Sequence, residues 1–231
     1  MKTIGLIGGV SYHSTIEYYR LLNEEVNARL GGFHSAKILM KSLDLQEVVT
    51  FMDRNDWSTF AKELWNDANM LQDMGAEGIL LCSTTIHKAA EFEDIPGLLH
   101  IGDVVGAAIT SAKMSKVALL GTLVTMSGEF MQNKIAHVSG AEVIVPNDAE
   151  QRFIHDAIFN EMCKGQFLPQ TRERFLEIID GLKERGAEGV ILGCTEIPLL
   201  IQEASLPLFD TTELHVRGAV DYMLQNRNRI G

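Results

Sequence analysis

Short apolar runs rich in Ile, Val and Leu punctuate the chain at residues 3–7, 36–40, 78–81, 116–120, 142–145 and 189–192, and none of them alternates with polar positions. Runs of this length and uniformity read as strands covered on both faces. Between them lie stretches with helical spacing, at 14–30, 57–74, 153–164 and 167–185, and a short one at 86–91. The first opens on Ser14-Thr15-Ile16-Glu17, the spacing of a capping box, and stops at Gly31-Gly32. The helices at 57–74 and 167–185 run into Gly75 and Gly186, each placed as a left-handed C-terminal cap. Strand and helix alternate, so the expected class is α/β, with parallel strands flanked by helices.

The pattern repeats. GAEGILLCSTTI, from Gly75 to Ile86, aligns without gaps on GAEGVILGCTEI, from Gly186 to Ile197, with seven of twelve positions identical at an offset of 111. At an offset of 113, Thr3-Ile4-Gly5-Leu6-Ile7-Gly8-Gly9 resembles Lys116-Val117-Ala118-Leu119-Leu120-Gly121-Thr122. A third echo pairs Asp103 with Asp210, each after a short apolar strand and before a helix. Three echoes in one order indicate a duplicated chain. Two similar halves imply two small open parallel sheets, and such sheets bind ligands outside the carboxyl ends of their strands. The turns at Gly8-Gly9, Cys82, Gly121-Thr122 and Cys194 all fall at such ends. In the ungapped alignment Cys194 stands opposite Ser83, so the two cysteine turns differ by one residue.

Composition narrows the function class. A net charge of −11 with no run of Lys or Arg disfavours a phosphate backbone as partner, so nucleic acid is not expected. No stretch approaches the ~20 apolar residues of a membrane span, and no signal sequence is read at the start, so a cytoplasmic protein is expected. Three cysteines, an odd number, do not make a secreted disulfide framework and are expected as free thiols.

Cys82 and Cys194 each end a strand and precede a helical stretch, whose amides would favour a thiolate. A pair of thiols suits proton removal from one face of a carbon and donation to the other. Cys163 has no counterpart in the other half and reads as a packing residue. Cys82 and His87, five positions apart with no CxxC or HxxxH nearby, fall short of usual zinc spacing, so no metal site is expected. The Gly5–Gly9 segment lacks the spacing of a dinucleotide loop, and no phosphate-binding loop occurs elsewhere. Ser11, Thr84, Thr85, Thr122 and Thr125 offer hydroxyls at strand ends, although each by itself is more often a helix cap. His87 is a candidate to assist Cys82. Glu196, two residues after Cys194, is a candidate to orient or deprotonate a group there, or simply an acidic helix cap.

Taken together, Ile4-Gly5-Leu6-Ile7-Gly8-Gly9 with Ser11 and Ser14-Thr15, Cys82-Ser83-Thr84-Thr85-Ile86-His87, Gly121-Thr122, Lys164-Gly165 and Gly193-Cys194-Thr195-Glu196-Ile197 resemble the aspartate/glutamate racemase family over essentially the whole chain. The resemblance implies two pseudo-symmetric flavodoxin-like domains, residues 1–100 with 208–231 and residues 101–207, the final helix at about 211–226 returning to the first. It implies a homodimer that racemises or epimerises a small amino acid without pyridoxal phosphate or any other cofactor, using Cys82 and Cys194 as acid and base. By the same resemblance Ser11, Thr84, Thr85, Thr122, Thr125 and Lys164 line the substrate's carboxylates. The family's usual Gly-Gly-Met-Ser-Trp-Glu opening is here Gly9-Val10-Ser11-Tyr12-His13, and Thr84 replaces its Asn after the first cysteine. These departures touch substrate recognition, leaving aspartate, glutamate or another amino acid open. The rival readings are a superfamily relative of the hydantoin racemase, maleate isomerase or arylmalonate decarboxylase type, and a non-catalytic binding protein on the same scaffold.

Overall fold

A computed structural model describes residues 1–225 of the 231-residue chain. The chain divides into two compact units, Met1–His100 together with the chain from His215 onward, and Ile101–Leu214.

In the first unit β1 (Ile4–Gly8), α1 (Tyr12–Leu30), β2 (Ile38–Ser42), α2 (Leu45–Asp53), α3 (Trp57–Asp73) and β3 (Gly78–Leu81) are followed by a 3-10 helix at Thr85–Glu91. The sheet has the order β2-β1-β3 and is parallel throughout, extended by a single parallel bridge from Ile79 to Leu98. In the second unit α4 (Ile101–Ala112) leads to β4 (Lys116–Leu120), α5 (Leu123–Ser127), α6 (Glu129–Ser139), β5 (Glu142–Ile144) and α7 (Asp148–Asn160). A 3-10 turn at Met162–Lys164, α8 (Pro169–Glu184), β6 (Gly189–Leu192), α9 (Ile197–Leu200) and β7 (Leu208–Asp210) complete it, and α10 (Thr211–Leu224) starts there and carries the chain back into the first unit. Its sheet runs β5-β4-β6-β7, again all parallel. The two sheets share one topology, and the Ile79–Leu98 bridge stands where the β6–β7 pairing stands in the second.

Because β7 pairs with β6, residues 208–214 belong to the second unit, and the chain returns to the first at His215 rather than at residue 208. The expected end of the last helix, Asn226, lies outside the described residues.

Alternation within each buried strand sends side chains to both faces, as uniform apolar runs require. In the second unit Val117, Leu119 and Ile191 pack with Val105, Ile109, Met131 and Ile135 of α4 and α6. Ala118, Leu120, Val190 and Leu192 pack with Ile154, Ile158, Phe175 and Ile179 of α7 and α8. In the first unit Ile4, Leu6, Leu80 and Cys82 pack with Tyr18, Leu22 and Val26 of α1 and Val216 and Val220 of α10. Burying each large side chain among these contributes about 1.5–3 kcal/mol.

Gly75 and Gly186 follow α3 and α8 with φ of 104° and 91°, the left-handed stops expected from sequence. The start of α1 differs from expectation. The helix begins at Tyr12, two residues before Ser14, with Ser11 at the cap position and no side-chain capping bond. Ser14 is buried and its hydroxyl is engaged elsewhere, by the carbonyl of Cys82.

Candidate active site

In the first unit the carboxyl end of the sheet is built from the turns after β1 and β3. The Gly8-Gly9 turn is folded onto α1: the Gly9 N–H donates to Thr15 Oγ1 at 2.8 Å, and Thr15 Oγ1 donates to the Ser11 carbonyl at 3.1 Å. Gly9 has φ 91°, and a Cβ there would lie 2.1 Å from the Leu43 carbonyl oxygen, so only glycine lets the ends of β1 and β2 approach this closely. Ser11 is thereby placed, nearly buried, at the start of α1.

Cys82 is fully buried and belongs to the apolar cluster beneath α1 and α10. Its N–H donates to the Ile7 carbonyl at 2.9 Å and its carbonyl accepts the Ser14 hydroxyl at 2.6 Å. Thr84 and Thr85 follow, both buried, at the head of the 3-10 helix, and His87 within it is fully buried with Nδ1 2.9 Å from the Ser83 carbonyl. Burial pushes the Cys82 thiol well up from its ordinary range. The short helix after it does not offset that cost, so the resting group is a thiol and not the thiolate that its place before a helical stretch suggested.

In the second unit the turn after β4 carries Thr122 and Thr125, both buried. Thr122 caps α5, its Oγ1 accepting the Thr125 N–H at 3.3 Å and lying 3.1 Å from Thr125 Oγ1. The next N–H, of Leu123, donates to His155 Nδ1 on α7 at 3.2 Å. After β6 the Gly193 N–H donates to the Leu120 carbonyl at 2.7 Å. That is the bond Cys82 makes to Ile7, so Gly193 is the structural counterpart of Cys82 and Cys194 lies one residue further on. Cys194 is half-buried and packs against the cluster of α7 and α8.

Glu196 is the centre of this second turn. Its buried carboxylate accepts from Cys194 Sγ at 2.9 Å and Thr195 Oγ1 at 2.9 Å on Oε2, and from Cys163 Sγ at 3.7 Å on Oε1. It stands before α9 but makes no side-chain capping bond, so it is not simply a cap. Burial first, and the Glu196 carboxylate second, raise the Cys194 thiol well above its ordinary range, while the Glu196 N–H acts in the opposite direction. Cys163 is pushed up to about 12, again mainly by burial.

The structure therefore gathers Ser11, Cys82, Thr84, Thr85 and His87 at the strand ends of the first unit. It gathers Thr122, Thr125, Cys194 and Glu196 at those of the second. Lys164 closes the 3-10 turn at Met162–Lys164 and is exposed. Cys163 packs against the cluster of α7 and α8 as expected, but its contact with Glu196 was not foreseen, and Ser14, taken as a helix cap, was missed. Nothing local marked Ser14. Among the described residues no group of three His, Cys, Asp or Glu side chains is disposed to hold a metal ion, and no helix is long and apolar enough to cross a membrane.

A family model described as Asp/Glu/Hydantoin racemase matches residues 7–219. A crystal structure of a Yersinia pestis protein, provisionally assigned as an Asp/Glu racemase, superposes with a TM-score of 0.90 at 43% identity, covering 97% of this chain and 100% of that one. An aspartate racemase homologue from Pyrococcus horikoshii gives a TM-score of 0.81 at 33% identity, covering 96% and 99%. The glutamate racemase of Listeria monocytogenes is 24% identical over 188 residues, 76% of this chain and 68% of that one.

Proposed function

We propose that this chain, which belongs to the Asp/Glu/Hydantoin racemase family and is an isomerase of the racemase type, inverts the α-carbon of aspartate or glutamate by proton transfer between two cysteines, without pyridoxal phosphate. The observation that carries the reading is the pair of matched turns. Cys82 follows β3 and Cys194 follows β6, each turn pinned by the same backbone bond to its neighbouring strand, Cys82 to Ile7 and Gly193 to Leu120.

The two turns suit different halves of the reaction. Cys194 passes its thiol proton to the Glu196 carboxylate, 2.9 Å away, a transfer uphill from the raised thiol, and the thiolate so formed takes the α-proton. Cys82, held as a thiol by its apolar surroundings, delivers a proton to the opposite face; the roles exchange for the other enantiomer. The hydroxyls of Ser11, Thr84, Thr85, Thr122 and Thr125, with Lys164, bind the substrate's carboxylates and steady the negative charge that develops as the proton leaves. Identity to an aspartate racemase homologue supports an acidic substrate.

Turnover in deuterated water is expected to place deuterium at the α-carbon of both enantiomers. Cys82→Ala and Cys194→Ala are each expected to lower kcat about 10³-fold, within the range for losing a general acid or base. Racemisation at an undiminished rate in either variant rules the scheme out. A chiral assay over aspartate, glutamate, other amino acids and hydantoins assigns the substrate. In this reading the enzyme is a cytoplasmic homodimer. A hollow of about 360 Å³ on the first unit, lined by Tyr12, Ile16, Tyr19 and Met40, all exposed, supports a second copy as the occupant of that face.

A further inference from the structure

Beneath the Cys82 turn lies a buried cluster that the proton-transfer scheme does not use. His87, Tyr18 and His215 are fully buried, and the His87 ring meets those of His100 and His215 edge-on, at centroid distances of 4.7 and 5.6 Å. Tyr18 lies on α1 and His87 in the 3-10 helix after Cys82. His100 is the residue at which the chain leaves the first unit, and His215 the one at which it re-enters. One imidazole therefore touches the partners of both crossings and the turn that carries Cys82.

The hydrogen bonds fix where the protons are. A carbonyl can only accept, so the 2.9 Å contact to Ser83 places a proton on His87 Nδ1. The Leu99 carbonyl, 2.6 Å from His215 Nε2, requires a proton there, which leaves His215 Nδ1 to accept the Tyr18 hydroxyl at 2.9 Å. Burial above all, and then His100 and His215, hold His87 well below its ordinary range, so it is neutral. The Cys82 thiol is raised by burial. These facts argue against His87 as the base for Cys82 and for a mechanical task.

Among the bonds that hold the Cys82 turn are those from Cys82 N–H to Ile7, from the Ser14 hydroxyl to the Cys82 carbonyl, and from His87 to the Ser83 carbonyl. The first two fasten it to β1 and α1. We infer that His87 is a positioning residue, which fixes the far side of the Cys82 turn through the Ser83 carbonyl while His100 and His215 seat its ring. The effect on rate rests on the two-cysteine reading above; the effect on the turn does not.

The test compares His87→Phe, which keeps a ring but removes the donor, with His87→Asn, whose amide can supply an N–H near the place of Nδ1. His87→Phe is expected to speed iodoacetamide alkylation of Cys82 about 10-fold, the worth of one buried hydrogen bond, with Cys194 unaffected. It is expected to lower kcat by a similar factor while leaving every ionisation in the pH–rate profile in place, and His87→Asn to reverse most of both changes. Unchanged Cys82 alkylation in His87→Phe, or the disappearance of an ionisation in either variant, overturns the inference. Should His87→Phe not fold, nitrogen NMR of the unaltered protein decides: a neutral ring protonated at Nδ1 between pH 8 and 5 supports it, and an Nε2 proton or an imidazolium overturns it. Alkylation and tautomer are read without turnover, so they stand even if no amino acid is racemised.

Discussion

His215 has no exposed surface and commits both ring nitrogens inside the protein, one to Leu99 and one to Tyr18. Burial lowers it to about 4, from the 6.5 of a free imidazole. The sign of its effect on stability follows. The unfolded chain takes up the proton first as pH falls, so the contribution is intact above about pH 6.5 and is lost progressively between there and about pH 4. A drop of this size corresponds to about 3 kcal/mol. Urea unfolding at pH 7.5 and pH 5 is expected to show the loss, and His215→Gln a shallower dependence on pH; equal slopes would dismiss the argument. His87 was visible in the sequence as a neighbour of Cys82. Its contacts with His100 and His215, and the bond from Tyr18 to a residue 197 positions away, were not, because only the fold brings them together. The same holds for Cys163 and Glu196, 33 residues apart.

Elements were legible where their signals are local. The apolar runs mark six of the seven strands closely, and Gly75 and Gly186 mark the ends of α3 and α8. The seventh, β7, showed only as a short apolar strand before Asp210. Helix α4 exposes mainly small residues (Ala107, Thr110, Ser111) and has Gly106 in its interior, so its apolar–polar contrast is faint in sequence; the glycine is there because a Cβ would lie 2.6 Å from Val138 of α6, against which α4 packs. The capping-box reading of α1 failed because the serine that fits the motif is needed by the Cys82 carbonyl. At the end of β1 the geometry permits a sharp expectation. Gly9→Ala combines a left-handed φ with a collision against the backbone of Leu43, which no side-chain rotation relieves. A loss of ~3 kcal/mol is expected in urea unfolding, together with weakened substrate binding as Ser11 and Thr15 shift. A loss below ~1 kcal/mol would mean that the turn after β2 yields easily.

At the scale of the molecule the duplication was plain in sequence, and the assignment of residues 208–214 was not, since it depends on the pairing of β7 with β6. The exposed apolar side chains of α1 and β2 bear on assembly. Under the proposed dimer, Ile16→Glu, at a position already 59% exposed, is expected to leave folding intact and to shift the sedimentation velocity from that of a dimer to that of a monomer. A dimer of unchanged strength would place the interface elsewhere. The one-residue slip between the cysteine turns reaches further. Successive residues along a strand address opposite faces of a sheet, so a displacement of one carries a side chain to the other side. Cys82 accordingly joins the cluster of α1 and α10, whereas Cys194 joins that of α7 and α8. An ancestor assembled from two identical halves could only have carried two identical turns, with thiols at equal depth and on equivalent faces. Unequal thiols require two separately encoded copies, so the fusion of the halves into one gene is what freed the two cysteine turns to diverge.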